Sequence, residues 1–220
     1  MEIPDFSSQG AEYRFDLTDI EHYKPVVISR DQGGLVVAGS NFSSQIHRCE
    51  SINGASIEQL ETLMRPGSTD DLGAIAGFLG ENERLWEVLV SDNEFVMKSG
   101  FTHRQLAIPL LQLSHRVLGM VAPGEHIQTF EFSHAATNWQ VSVTCYRGHQ
   151  FSPFNDGTKS NCEFSLTNLE NNESLEFSGL VPLMIERYGF YEGHGTPYRV
   201  DPKSIMGVLG LKPEDVADCE

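Results

Sequence analysis

Residues 126–145 read His-Ile-Gln-Thr-Phe-Glu-Phe-Ser-His-Ala-Ala-Thr-Asn-Trp-Gln-Val-Ser-Val-Thr-Cys, and this stretch decides the fold. Phe130 and Phe132 alternate with Thr129 and Glu131, and Trp139, Val141, Val143 and Cys145 alternate with Gln140, Ser142 and Thr144. A period of two, apolar against polar, is the pattern of a strand with one buried face. Downstream, Cys162, Phe164 and Leu166 repeat it, and so do Leu175 and Phe177. Asn138 and Asn171-Asn172 supply turn formers between the runs. Four amphipathic strands in succession predict an antiparallel meander over residues 126–178.

Working outward, helices are predicted from Gly179 to Tyr188 and from Pro202 to Leu209. Upstream, Thr102 can cap a helix whose stripes are Leu106, Leu110, Leu113, Val117 and Ala107, Leu111, Ser114, Leu118. Pro109 lies inside that helix, so residues 103–108 read as a separate turn. Ser56 with Gln59 forms a capping-box pattern ahead of Leu60, Leu63 and Met64. A helix starting at Ser68 or Thr69 and carrying Leu72, Ile75, Ala76 and Leu79 follows, then one over Glu81 to Val90. Near the N-terminus, residues 12–17 alternate as a strand. Val26-Val27-Ile28 and Leu35-Val36-Val37-Ala38 flank a glycine turn as a hairpin, and a weaker strand runs through Phe42 and Ile46. The order is strands, helices, strands, helices. The fold class is therefore α+β: a meander packed against helices, with an N-terminal hairpin region and a central helical segment. One domain over residues 1–220 is expected, with a split into 1–120 and 121–220 as the alternative.

The chain has 220 residues, with 15 Lys+Arg against 31 Asp+Glu, a formal net charge of −16. Nucleic-acid backbones and anionic membranes need clustered basic residues, so neither is an expected partner. The N-terminal residues show no basic segment followed by an apolar one. The four cysteines form no Cys-x-x-Cys pair, so reduced thiols and a cytoplasmic location are expected. No dinucleotide, phosphate-loop or nucleophile-elbow motif occurs, and no histidine stands at metal-motif spacing. No cofactor and no metal site is read from the chain.

Two segments concentrate reactive side chains. The connection from Tyr146 to Asn161 is long for a hairpin and carries His149 and Asp156. With His126 at the same sheet edge, these are the candidates for general acid–base work. The other reading of that segment is a compact loop anchored by Phe151 and Phe154. The run from Tyr188 to Arg199 holds three glycines, four aromatics, a histidine and an arginine. Tyr191, His194, Tyr198 and Arg199 are its candidate ligand-binding residues, with Arg199 able to clamp an anion. Its other reading is a helix end capped by Gly189 with satellite core aromatics. If the helix after Gly179 runs back along the sheet, it carries residues 189–198 to the opposite edge, near His134 and away from His149. Cys145 and Cys162 lie on the apolar phase and read as inert thiols.

Two function classes follow. One is a non-catalytic ligand-binding or protein-interaction module, with a small anionic molecule, a protein or a second copy of the chain as partner. The other is a small histidine-dependent hydrolase or lyase, with or without a metal. No catalytic spacing rises above chance, which favours the first.

Overall fold

The computed structural model describes residues 51–67, 76–122 and 125–212, and the backbone of residues 35–37 and 47–49. The expected strands at residues 12–17, at Val26–Ile28 and through Phe42 lie outside the described residues. Leu35–Val37 (β1) does form a strand, and it pairs antiparallel with His47–Cys49 (β2). Ser51–Ile52 (β3) and Ala55–Ser56 (β4) make a short hairpin leading into Ile57–Met64 (α1). The capping box is present as read: Ser56 accepts from the Gln59 backbone N–H, and the Gln59 side chain accepts from that of Ser56.

The helix expected over Glu81–Val90 instead spans Leu85–Lys98 (α2). Its first residue is fixed by a tertiary contact. Arg84 gives no side-chain cap, and Glu61 of α1 accepts from the Leu85 backbone N–H at 3.0 Å. Its C-terminal half was hidden in the sequence because Ser91-Asp92-Asn93-Glu94 looks like a break. Yet Leu85, Val88, Leu89, Asp92, Asn93 and Val96 make one buried stripe, so two polar residues occupy core positions. The preceding helix expected from Ser68 lies mostly outside the described residues. Its last part, residues 76–80, is not helical. Phe78 and Leu79 donate their N–H groups to the Met64 carbonyl, and Phe78 accepts from Gly193.

His103–Leu118 (α3) is one continuous helix with Pro109 inside it, not a turn followed by a helix. The lost hydrogen bond is outweighed by burial of Leu106, Leu110, Leu113 and Val117 along one side. Thr102 and Gln105 complete a second capping box.

The meander is as expected: Ile127–His134 (β5), Thr137–Phe151 (β6), Lys159–Asn168 (β7) and Ser174–Ser178 (β8) pair antiparallel in the order β5-β6-β7-β8. Its inner face carries Trp139, Val141, Val143, Phe164, Leu166, Leu175 and Phe177. These join α3, Val181–Tyr188 (α4) and Pro202–Leu209 (α5) in a hydrophobic cluster running from Ile52 to Val208. The outer face is mostly Ser, Thr, Gln and Glu, with Ile127 exposed at the start of β5. Two differences matter. The long 146–161 connection is mostly strand: Gln150 pairs with Ser160 and Phe151 with Lys159 beyond a bulge that starts after Cys145, leaving residues 152–158 as the loop. Helix α4 ends in Gly189 at φ 65° as expected, but it packs on α3 and does not carry the chain to the opposite edge. Arg187 and Tyr188 bond to Asp156, so the 189–199 segment stays at the His149 end.

The β5–β6 turn is a two-residue connection in which Ala135 and Ala136 have φ 51° and 62°. This is the left-handed pair that Asn-Gly normally fills, and an ordinary side chain there costs about 1–2 kcal/mol per residue. Replacing Ala135-Ala136 by Asn-Gly is therefore expected to stabilise the protein by about 1–2 kcal/mol. Urea unfolding checks this; an unchanged or lower midpoint would refute the turn assignment.

Candidate functional site

The glycine-aromatic segment folds inward. Tyr191 is fully buried, and its hydroxyl meets His103 Nδ1 at 2.8 Å, while His103 Nε2 meets Asn93 Oδ1 at 3.0 Å. Asn93 can only accept through Oδ1. His103 therefore carries its proton on Nε2, and its bare Nδ1 accepts from the Tyr191 hydroxyl. Burial lowers the His103 pKa to about 4, which keeps the ring neutral. The same burial pushes the Tyr191 phenol well up. An Asn-His-Tyr relay could deprotonate a phenol in an open site. Here all three side chains are sealed, so it works as a strut between α2, α3 and residue 191.

Arg199 is likewise spent on structure. Its guanidinium forks onto both Asp92 oxygens, with Nη1 to Oδ2 at 3.0 Å, and Nη1 also donates to the Glu192 carbonyl at 2.6 Å. Bidentate pairing of this kind uses the geometry that would clamp a ligand carboxylate. The expected anion clamp at Arg199 is thus closed by Asp92, a residue the sequence reading passed over. The available signal was its place on the apolar stripe of α2. Glu192, at φ 67°, is 1 % exposed. Thr196 donates to one of its oxygens, and the other has no hydrogen-bond partner. Burial pushes its pKa up to about 8, so the carboxyl is held neutral at pH 7.

Asp156 is also taken. Arg187 Nη1 donates to Oδ2 at 3.1 Å, the Tyr188 hydroxyl donates to the same oxygen at 3.0 Å, and the Thr158 N–H donates to Oδ1 at 2.9 Å. Asn53 ties on from β3–β4, donating to the Tyr188 hydroxyl and the Phe154 carbonyl. Phe154 stacks on Tyr188 at 3.9 Å. Of the compact loop expected over residues 146–161 with Phe151 and Phe154 as anchors, only residues 152–158 form the loop and only Phe154 anchors it. Phe151, in β6, is exposed.

The remaining candidates face an open surface. Two hollows, of about 280 and 550 Å³, adjoin over the outer sheet face and share Glu163, Ser178 and Tyr198. The smaller has a floor of Ser142, Thr144, Ser165 and Glu176; the larger reaches Tyr146, His149 and Cys162. Tyr198 is 53 % exposed and stands between them. Tyr146 donates its hydroxyl to Glu163 at 2.7 Å, which pushes its pKa up to about 12. His126 donates Nδ1–H to the Cys145 carbonyl and stands edge-on to the Tyr146 ring at 5.5 Å. It lines neither hollow. His149 Nε2 is buried with no hydrogen-bond partner, and His194 is exposed. The structure thus brings His149 and Tyr198 to one surface and takes Tyr191 and Asp156 out of it, while Arg199 lines the smaller hollow with its guanidinium held by Asp92.

Among the described residues, no group of three or more His, Cys, Asp or Glu side chains is placed to hold a metal ion, and no helix is long and apolar enough to cross a membrane. Comparisons with protein families, with characterised proteins and with solved structures found no match to this chain.

Proposed function

We propose that the protein is a non-catalytic binding module that takes a cationic segment of a partner on the outer face of the meander. One observation carries this reading: the joined hollows combine exposed carboxylates, Glu163 and Glu176, with a hydroxyl-lined floor and the tyrosines 146 and 198. Carboxylates pair with ammonium or guanidinium groups, and tyrosine faces attract the same cations. The net charge of −16 adds a long-range field of the matching sign. An anionic ligand has lost its clamp, since Arg199 is held by Asp92. A His149–Asp156 acid–base pair has lost its carboxylate to Arg187.

The test is titration with tetralysine and tetraglutamate at low and physiological salt. Tetralysine is expected to bind and tetraglutamate not. The double variant Glu163→Gln/Glu176→Gln should weaken tetralysine binding roughly tenfold, about 1.4 kcal/mol. The charge-matched control Glu87→Gln/Glu94→Gln, on α2, should change it less than about twofold. Equal loss in both doubles would reduce the effect to net charge and refute the site.

A further inference from the structure

We propose that Cys145 and Cys162 form a reversible dithiol–disulfide modification site, oxidised by exchange with a low-molecular-weight disulfide. The two residues are direct partners across β6 and β7. The Cys145 N–H donates away from β7, to the His126 carbonyl at 2.9 Å. The Cys162 carbonyl points away from β6, accepting from Gly179 at 3.0 Å. They are therefore a non-hydrogen-bonded pair, the position where opposed side chains approach most closely, with Cα atoms about 4.5 Å apart. That spacing falls inside the range a disulfide spans, at its short end. Both cysteines are free, with their sulfur atoms 3.0 Å apart.

Three further features suit the pair to exchange. The ladder is interrupted between Cys145 and Gln150, so the backbone beyond Cys145 can adjust as the sulfurs close. Exposure is unequal: Cys145 is half-buried, whereas Cys162 is 3 % exposed. The Cys162 S–H has two acceptors, Cys145 Sγ and Asn161 Oδ1 at 3.4 Å. Donation to Cys145 favours its thiolate, shifting the Cys145 thiol down in pKa and Cys162 up. Cys145 is the attacking sulfur and Cys162 the resolving one.

The exchange balances in two steps. The Cys145 thiolate attacks one sulfur of the small disulfide. That S–S bond breaks and one thiolate leaves with the electron pair, giving a mixed disulfide at Cys145. Cys162 then passes its proton to the released thiolate, attacks the Cys145 sulfur and expels the second small thiolate, which takes up from solvent the proton that Cys145 released on ionising. Two protein thiols are oxidised and one small disulfide is reduced to two thiols. Excess small thiol attacks the cross-strand disulfide and runs the same two steps in reverse, which makes the site reversible.

The test is equilibration of the folded chain in glutathione buffers of graded oxidised fraction, followed by acid quench, alkylation and peptide mapping. A peptide linked through Cys145 and Cys162 is expected to rise with the oxidised fraction and to disappear on return to reduced glutathione. Cys162→Ser should accumulate a glutathione adduct on Cys145, and Cys145→Ser should carry at least about tenfold less on Cys162. Absence of the linked peptide in the most oxidising buffer would overturn the proposal. So would its formation only in denaturant, or equal adducts in the two single variants. Circular dichroism of each variant before mixing confirms that the comparison is between folded chains.

Discussion

Arg199→Ala is expected to lower the unfolding free energy by about 3–5 kcal/mol, because it leaves the Asp92 carboxylate buried without its partner. The side chains of Arg199 and Asp92 are 10 % and 3 % exposed, so water cannot replace the lost bonds. The Glu192 carbonyl loses a donor at the same time. A residue in a ligand site would behave in the opposite way, losing binding with little change in stability. Arg199→Lys keeps the charge but not the fork and should fall between wild type and alanine. The double variant Asp92→Leu/Arg199→Met should be less destabilised than the sum of the two single changes by more than about 1 kcal/mol, since it removes the charges together. Urea titration of the wild type, the four single variants and the double variant measures this. A loss below about 1 kcal/mol for Arg199→Ala would return Arg199 to the list of ligand-binding candidates.

Stability is expected to be greatest between about pH 4.5 and 6.5 and to fall toward pH 8. Glu192 has its pKa raised to about 8 in the folded state, against 4.5 as the ordinary value. A carboxyl raised by folding contributes stability that is complete below the unfolded pKa and is lost as pH climbs to the folded one. His103 has its pKa lowered to about 4 from 6.5, so its contribution is present above pH 6.5 and is lost as pH falls toward 4. Between 4.5 and 6.5 the two slopes oppose each other and cancel. Above 6.5, of these two groups only Glu192 still titrates, and its share of the fall to pH 8 amounts to about 2 kcal/mol. Asp92 and Glu186 are also pushed up by burial, against the pull of neighbouring arginines, and their contributions decline with rising pH in the same sense. Glu192→Gln should flatten the alkaline limb while leaving the acid limb in place. Melting temperatures of both proteins from pH 4 to 8.5 check it; an alkaline limb unchanged in the variant would show that Glu192 is not its source.

The glycine-aromatic segment 188–199 was visible as unusual, and its Gly189 helix end was legible because a left-handed cap leaves a local signature. Whether the segment faced a ligand or the core was not legible. That depended on Asp92, Asn93 and His103, from α2 and the start of α3, which local patterns read as a helix break and a capping region. The 146–161 connection misled for a related reason. The irregularity between Cys145 and Gln150 sets five steps of β6 against two of β7, an odd shift, so strand pairs such as Phe151 with Lys159 fall out of phase with the pattern before it.

The sequence by itself determined the α+β class, the four strands of the meander, the Ser56–Gln59 capping box, the Thr102 cap and the C-terminal ends of α4 and α5. Each depends on residues within a turn or a few pleats of one another: apolar period, a hydroxyl three residues before an amide, a glycine where φ must be positive. Only the tertiary structure decided that α2 starts at Leu85 under the Glu61 carboxylate, that Arg199 faces Asp92, that Asp156 faces Arg187 and that Cys145 stands opposite Cys162. Those pairings join side chains 17 to 107 positions apart. Which of several buried charges and thiols meet is set by strand register and helix docking, and neither leaves a trace in local spacing.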